Sequence, residues 1–182
     1  MTIKESLVVE IERDQLPMEE IHDALRAINR HIFEAGLTRE EIERSAENAL
    51  WLEPLLHNHP WSHYITGLHR HIGIEADEVW TQILLQFPEK PGDIPPERPF
   101  HVDDLHPKPG YELQYVAGVA LTPSDEYHGG IRFEGDHAVP KLNPGDYVVF
   151  SADVPHSGGI NYSGQIRYAV YFRYLRHLNR NA

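Results

Sequence analysis

The sequence predicts a mainly β domain with helices at its N-terminal end. Residues 79–178 contain short runs of β-branched and aromatic residues, separated by Pro, Gly, Asn or Asp. Two amphipathic helical patterns precede them, and nothing repeats at a fixed period as a solenoid or propeller requires. Short strands at regular spacing predict a sandwich or barrel, and the helices are expected to cover one face of a sheet.

The chain begins with a predicted strand and a predicted helix. In the run LVVEIER, residues Leu7, Val9 and Ile11 alternate as a half-buried strand requires. Pro17 is suited to the first position of a helix, and Gly36 is suited to ending it. The apolar positions between them recur at helical spacing and are Ile21, Leu25, Ile28 and Ile32.

A second helix is predicted after Gly36. Thr38 and Glu41 have the spacing of a capping box, in which each residue satisfies a backbone N–H of the other. The apolar side of this helix is expected to consist of Ile42, Ala46, Ala49 and Leu50. Both helices are interpreted as structural support.

The second half of the chain is predicted to be the β core. Its expected strands are VWTQILLQF, YVAGVALT, GIRFEG, DYVVFSA and IRYAVYFRYL. We expect one domain over residues 1–182, with residues 1–78 as mostly helical support and residues 79–178 as the core that holds the functional site. The proline-rich residues 87–100 are either a stiff lip of that site or a plain irregular connection.

Composition limits the possible functions. The chain has no cysteine, so a metal site must use His, Asp or Glu. Its net charge of −12 opposes binding to nucleic acid or to an anionic membrane. We find neither a leader pattern nor a membrane-spanning window, and we therefore expect a cytoplasmic protein. The histidine-rich residues 56–71 lack a recognisable ligand spacing, so we interpret them as surface or packing positions.

The segment FHVDDLH contains the first candidate metal ligands. His101 and Asp103 are two residues apart, so on an extended strand both side chains project from the same face and can reach one ion. A metal centre that activates oxygen typically uses two His and one carboxylate, with three positions left open. His156, in VPHSGG after a predicted strand, is the best candidate for the third ligand.

Arg167 adds a second kind of site. It follows His156 by eleven residues, at the start of a strongly β run. The order HxD, distal His and Arg at this offset resembles the iron and 2-oxoglutarate dependent dioxygenases. The stretch with His156, Gly159, Asn161, Ser163 and Arg167 is most similar to the phytanoyl-CoA dioxygenase branch. The similarity covers roughly residues 79–175.

The resemblance implies a double-stranded β-helix of jelly-roll type, with Fe(II) bound by His101, Asp103 and His156. It also implies that Arg167 binds the distal carboxylate of 2-oxoglutarate, a role that suits the planar, permanently charged guanidinium. The implied reaction uses O2, releases succinate and CO2, and hydroxylates a small metabolite such as an amino acid or another small acid. Because Asp103 occupies the carboxylate position, halogenation is disfavoured.

Four further residues are candidate contacts. Gln82 and Tyr115 are expected to point into the barrel and hydrogen-bond the cosubstrate, or else to be polar core residues. Ser163 matches the small hydroxyl position before the family's arginine. Arg132, by strand alternation, faces either the metal cavity, where it would bind an acidic substrate group, or solvent.

Two other functions remain open on the sequence. A cupin-like metal-dependent isomerase, lyase or hydrolase would also use two His and an Asp, but it would not need Arg167. A non-catalytic jelly-roll module that binds a small acid or sugar would show no metal-dependent turnover.

Overall fold

The computed structural model describes residues 9–13, 15–44, 49–50, 76–90, 92, 96–135 and 139–178. The described residues form two helices and eight strands. The helices are α1 (Met18–Glu34) and α2 (Arg39–Arg44). The strands are β1 (Val9–Glu12), β2 (Ala49–Leu50), β3 (Glu78–Gln86), β4 (Tyr111–Ala120), β5 (Ile131–Phe133), β6 (Tyr147–Ser151), β7 (His156–Gly158) and β8 (Arg167–His177). The mainly β composition agrees with the sequence prediction.

Six strands form one antiparallel sheet, in the order β1-β6-β4-β8-β3-β2. The long strands β3, β4 and β8 lie side by side at its centre, so residues far apart in sequence become neighbours. The short strands β5 and β7 form a second antiparallel pair. Isolated bridges extend the pairing to His101, which lies opposite His156, and to His128, which lies opposite Asn161.

The helices cover one face of the large sheet. Ile21, Ala24 and Ile28 of α1 are almost fully buried and pack against sheet residues such as Val119 and Phe172. Each fully buried Ile contributes roughly 1.5–3 kcal/mol through removal of apolar surface from water. Gly36, with φ +64°, follows α1 in the left-handed conformation that commonly ends a helix. The predicted first helix and its supporting role are therefore observed.

The second helix is shorter than its apolar pattern predicts. Its capping box is present, because the backbone N–H of Glu41 donates to Thr38 Oγ1 and the backbone N–H of Thr38 donates to Glu41 Oε2. However, the described part of α2 covers Arg39–Arg44, Ala46 lies outside the described residues, and Ala49–Leu50 form the strand β2 beside β3. Pairing with β3 provides hydrogen-bond partners for the backbone of these two residues. This pairing outweighs the helical conformation that the spacing of the apolar residues predicts.

The opposite face of the large sheet packs against the β5–β7 pair. Its cluster contains Val116, Val148 and Phe150 from the large sheet, together with Ile131 and Phe133 from β5. A cavity lined by residues of both sheets opens on this face.

A β-bulge in β4 decides which residues reach that cavity. Leu113 pairs with Leu175 and Tyr115 pairs with Tyr174, so β4 contains one extra residue, Gln114, at this point. An extra residue reverses the inward and outward alternation of a strand. Odd-numbered residues therefore face the cavity side before Gln114 and the helical side after it.

At the start of the chain, β1 has the predicted strand conformation. However, Ile11, which was expected on the buried side of this strand, is 37% exposed. Leu7 lies outside the described residues. Among the described helices, neither has the length and apolar character needed to cross a membrane.

Candidate metal centre

Three side chains converge at the edge of the small sheet. One potential ligand atom from each of His101, Asp103 and His156 lies within 4.8 Å of the other two. Asp103 and His156 are buried, whereas His101 is exposed. These are the three residues that the sequence predicts as ligands, and their donor set of two imidazoles and one carboxylate suits a non-haem iron.

Backbone pairing holds the two histidines together. The backbone N–H groups of His101 and His156 each donate to the other residue's carbonyl over 2.9 Å, and their rings lie 4.7 Å apart. The segment with His101 is therefore a one-residue extension of the sheet that contains β7. Asp103 follows two residues later, so it can face the same point as the histidines.

The ring of His156 is oriented by its surroundings. Nδ1 is 2.9 Å from the carbonyl oxygen of Val154, an arrangement in which Nδ1–H donates and Nε2 is left as the ligand atom. Nε2 lies 4.0 Å from Asp103 Oδ2. Burial is the largest effect on the His156 pKa and lowers it, while the Val154 hydrogen bond and the Asp103 charge oppose that shift. Burial thus favours the neutral imidazole that a metal requires.

Arg173 fixes the carboxylate ligand. Its Nη2 donates to Asp103 Oδ1 over 3.0 Å, and the two side chains are only 15% and 6% exposed. The other oxygen, Oδ2, is the one nearest His156. One oxygen of Asp103 is thus engaged by Arg173, and the other is available to an ion.

Arg167 is buried in the same cavity. It is 4% exposed, and its Nε donates to Ser124 Oγ over 3.1 Å. Its Nη1 donates to Gln86 Oε1 over 3.3 Å, and its Nη2 is 3.4 Å from the Tyr171 hydroxyl. These neutral partners orient the guanidinium without neutralising it, so it remains able to bind an anion.

One cavity of about 420 Å³ contains both features. His101, Asp103 and His156 line it, and so does Arg167. Its apolar walls include Val116, Ile131 and Phe150. A metal ion and a small acid that also reaches Arg167 can therefore share a single chamber.

Gln82 lies where the sequence predicts. It is 6% exposed, and it lines the cavity together with Leu84, which is on the same face of β3. Gln86, two residues further on, has a different role. Its Oε1 accepts from Arg167, and its Nε2 donates to the carbonyl of Gly159 over 2.6 Å.

Tyr115 does not lie in the cavity. It packs against the cluster on the helical face, with Ala117 and Val119 of the same strand. This placement does not support a cosubstrate contact for Tyr115 and agrees with the other alternative, a polar residue of the core. Without the bulge at Gln114 it would share a face with Leu113, which belongs to the cluster on the cavity side.

Ser163 and Arg132 also lie outside the residues that line the cavity. The Ser163 hydroxyl donates to Asn161 Oδ1 over 2.7 Å, within a turn that the two residues form. On β5 it is Ile131 that lines the cavity, so its neighbour Arg132 projects from the other face. Ser163 therefore does not line the cavity as a cosubstrate contact would, and of the two alternatives left open for Arg132 the structure favours the one that faces away from the cavity.

The sequence prediction missed several residues of this cavity. Arg98 and Arg173 line it, and Ser124 is the buried partner of Arg167. Strand alternation provided a signal for Arg173, because it lies six residues after Arg167 on β8 and so shares its face. Arg98 lies in an irregular segment that has no periodicity to use. The histidine-rich residues 56–71 lie outside the described residues.

Comparisons with known proteins give structural matches only. No protein-family model matches the chain, and no curated protein matches it in sequence. EvdO2 from Micromonospora carbonacea var. aurantiaca matches with a TM-score of 0.74 and 15% identity, over 94% of this chain and 87% of EvdO2. EvdO2 has also been solved in complex with 2-oxoglutarate.

Two further matches extend the comparison. The non-heme alpha ketoglutarate dependent epimerase SnoN from nogalamycin biosynthesis has a TM-score of 0.66 and 14% identity, over 93% of this chain and 79% of SnoN. SnoN has also been solved with Fe3+, alpha ketoglutarate and nogalamycin RO. A Pseudomonas putida prolyl-4-hydroxylase has a TM-score of 0.61 and 17% identity, over 94% of each chain. At these identities the likeness establishes a shared fold.

Proposed function

We propose that this protein is a non-haem Fe(II)- and 2-oxoglutarate-dependent oxygenase that hydroxylates a small metabolite. The observation that supports it best is the shared cavity, in which a His-Asp-His set and a buried arginine line the same walls. A metal-dependent isomerase, lyase or hydrolase has no use for Arg167, whose guanidinium is oriented by three neutral groups.

The structural matches support this proposal. EvdO2 and SnoN are proteins of the same fold that have been solved with 2-oxoglutarate or alpha ketoglutarate, and SnoN also with Fe3+. The two facing antiparallel sheets are consistent with a double-stranded β-helix of jelly-roll type. The assignment to the phytanoyl-CoA dioxygenase branch remains a prediction from the motif around His156 and Arg167.

The residues of the site fit the groups that this function requires. His101, Asp103 and His156 would hold the iron, and two imidazoles with one carboxylate are the donor set typical of such enzymes. Arg167 would bind the distal carboxylate of 2-oxoglutarate bidentately. When bound, Fe(II) supplies the redox chemistry that couples decarboxylation of 2-oxoglutarate by O2 to oxidation of the substrate.

The chain's own residues orient these groups and keep the site dry. Gln86 and Ser124 fix the Arg167 guanidinium, so little conformational freedom is lost when the acid binds. Val116, Ile131 and Phe150 give the same chamber apolar walls, which would limit the access of water once the ligands are bound. The cavity volume of about 420 Å³ leaves room beside 2-oxoglutarate for a small substrate.

Anaerobic titration tests the proposal. Adding Fe(II) and 2-oxoglutarate to folded protein should produce the weak visible charge-transfer band of the chelate. Arg167→Ala should lower the affinity for 2-oxoglutarate by at least tenfold while Fe(II) still binds, because only the carboxylate contact is lost. Asp103→Ala should weaken Fe(II) binding itself.

Arg26→Ala is the control variant, because Arg26 pairs with Asp23 on the exposed side of α1, remote from the cavity. It should behave as the unaltered chain does. If no band forms in folded protein, the proposal is wrong. If Arg167→Ala weakens Fe(II) and 2-oxoglutarate binding equally, Arg167 has a structural role and the cosubstrate assignment fails.

A further inference from the structure

Three guanidinium groups line the cavity, and two of them already have a role. Arg173 is paired with Asp103. Arg167 is oriented by neutral groups and is assigned to 2-oxoglutarate under the proposed function. The third is Arg98, in the irregular segment that precedes His101.

The guanidinium of Arg98 is available for binding. Over the described ranges, the structure gives this side chain no ion pair and no hydrogen bond, and the residue is exposed at the cavity rim. A Cβ added at Gly158 would lie 3.6 Å from Arg98 Nη1, so the guanidinium lies close to the strand that holds His156. An unpaired cation next to a candidate metal ligand is a suitable anchor for an anion.

The main chain of Arg98 is held firmly in place. Its carbonyl oxygen accepts from Ser157 Oγ over 2.9 Å and from Arg132 Nη2 over 3.1 Å. Ser157 is fully buried beside His156, and Arg132 also reaches Glu97 at 3.6 Å. Arg132 therefore supports the segment from outside the cavity, while Arg98 presents its charge at the cavity rim. Only the side chain of Arg98 must be ordered when a ligand binds.

The charge of the cavity also favours an anionic substrate. Among the residues that line it, three arginines face one carboxylate, Asp103. Fe(II) and the 2-oxoglutarate dianion cancel each other, so the loaded site keeps a formal charge of +2. This local excess is notable in a chain whose net charge is −12. A partly enclosed cavity of positive sign concentrates anions.

We propose that Arg98 is a substrate-binding residue and that the substrate carries a carboxylate which this arginine binds. The inference rests on the proposed function and specifies its substrate class as small carboxylic acids. The carboxylate would lie at the cavity rim, and the rest of the molecule would extend towards His101 and His156. Binding of an acidic substrate group, which the sequence analysis offered as one of two alternatives for Arg132, is thereby proposed for Arg98.

The test compares acids with their neutral amides. The probes are the N-acetyl derivatives of the protein amino acids, each as the free acid and as the primary amide. Binding is measured by calorimetry, without oxygen, on protein saturated with Fe(II) and 2-oxoglutarate. We expect at least one acid to bind about tenfold more tightly than its amide, because a charge-assisted pair is worth roughly that factor.

Variants assign this preference to a residue. Arg98→Gln should reduce it to less than about twofold, Arg98→Lys should retain part of it, and Arg26→Gln should leave it unchanged. Because Arg98 is exposed and its backbone contacts do not involve its side chain, these variants should fold normally. The proposal is overturned if no acid is preferred to its amide, or if the preference survives in Arg98→Gln.

The charge-transfer band separates this proposal from the proposed function. The band should form equally in Arg98→Gln and in the unaltered chain, because Arg98 contacts neither the metal ligands nor Arg167. A normal band without acid preference would refute the role of Arg98 alone. If the band is missing in every protein, the oxygenase proposal fails, and the acid and amide comparison on metal-free protein then decides the role of Arg98 separately.

Discussion

The ion pair between Arg173 and Asp103 allows a quantitative test of how the carboxylate ligand is held. Arg173→Met keeps most of the apolar stem and removes the charge and its donors. In the metal-free protein, Asp103 would then retain a charge on a side chain that is only 6% exposed, without the donor that lies 3.0 Å away. The variant should therefore be clearly less stable to unfolding.

The size of the effect follows from the geometry. Two unit charges 3.0 Å apart attract by about 5–6 kcal/mol at an effective dielectric constant of about 20. Desolvation of both groups offsets part of this attraction, and removal of one partner from a buried pair typically costs about 3–5 kcal/mol. We expect a loss of about 3 kcal/mol in the free energy of unfolding, which lowers the Tm by roughly 6–12 °C for a chain of this size.

Thermal unfolding of chelator-treated protein measures this loss in a double-mutant cycle. If the cost arises from an unpaired carboxylate, Arg173→Met should cost less than about 1 kcal/mol in an Asp103→Asn background. Arg176→Met, on the same strand, is the control and should change stability by about 0.5 kcal/mol or less. Adding Fe(II) without oxygen should restore part of the stability of Arg173→Met, because the ion provides a positive charge beside Asp103.

Equal costs of Arg173→Met in the two backgrounds would refute this reasoning. The effect of Arg173 would then come from its packing, and Asp103 would not depend on it for its orientation.

Three further predictions concern the cavity. An added Cβ at Gly129, where φ is +74°, would lie 2.6 Å from Gln86 Oε1, so Gly129→Ala should displace the partner of Arg167 and weaken 2-oxoglutarate binding roughly tenfold. Gly135→Ala, with φ +80° and open space, should show similar backbone strain and no loss of binding. Burial lowers the pKa of His156 in the folded chain, so the unfolded chain binds more protons below about pH 6.5, and the metal-free protein loses stability as the pH falls. The fall in Tm from pH 7 to pH 5.5 should be shallower in His156→Gln, and an equal slope would contradict this assignment. Ser163→Ala should leave the 2-oxoglutarate affinity within about twofold, and a tenfold loss in the same titration would restore Ser163 as a cosubstrate contact.

Local rules were sufficient to predict the four longest strands of the large sheet and the shared face of two candidate ligands. The β-branched and aromatic runs correspond to β3, β4, β6 and β8, because those residues fit a half-buried pleated surface. His101 and Asp103 share a face because they are two residues apart on extended chain. The one long-range step was the choice of His156, which the motif suggested and strand pairing makes possible.

Other features depend on tertiary structure that the sequence pattern does not contain. Ala49 and Leu50 continue a helical period, yet an available sheet edge makes them a strand. Arg132 and Arg98 carry the same charge, but the pairing of β5 with β7 turns Arg132 away from the cavity, whereas Arg98 reaches the cavity from an irregular segment. Ser163 satisfies its hydrogen bonds within its own turn, and a motif comparison does not detect this local competition.

The bulge at Gln114 has a consequence for the mutations that this strand can accept. The Gln114 side chain is half-buried, and its one hydrogen bond to the described part of the chain joins it to Glu112 at 3.5 Å, so replacement by another residue should be nearly neutral. Deletion of the same residue would restore a regular alternation and turn either Leu113 or Tyr115 to the wrong side of the sheet. This strand should therefore tolerate a substitution at Gln114 but not an insertion or a deletion. The number of residues in the strand determines which side chains face the cavity.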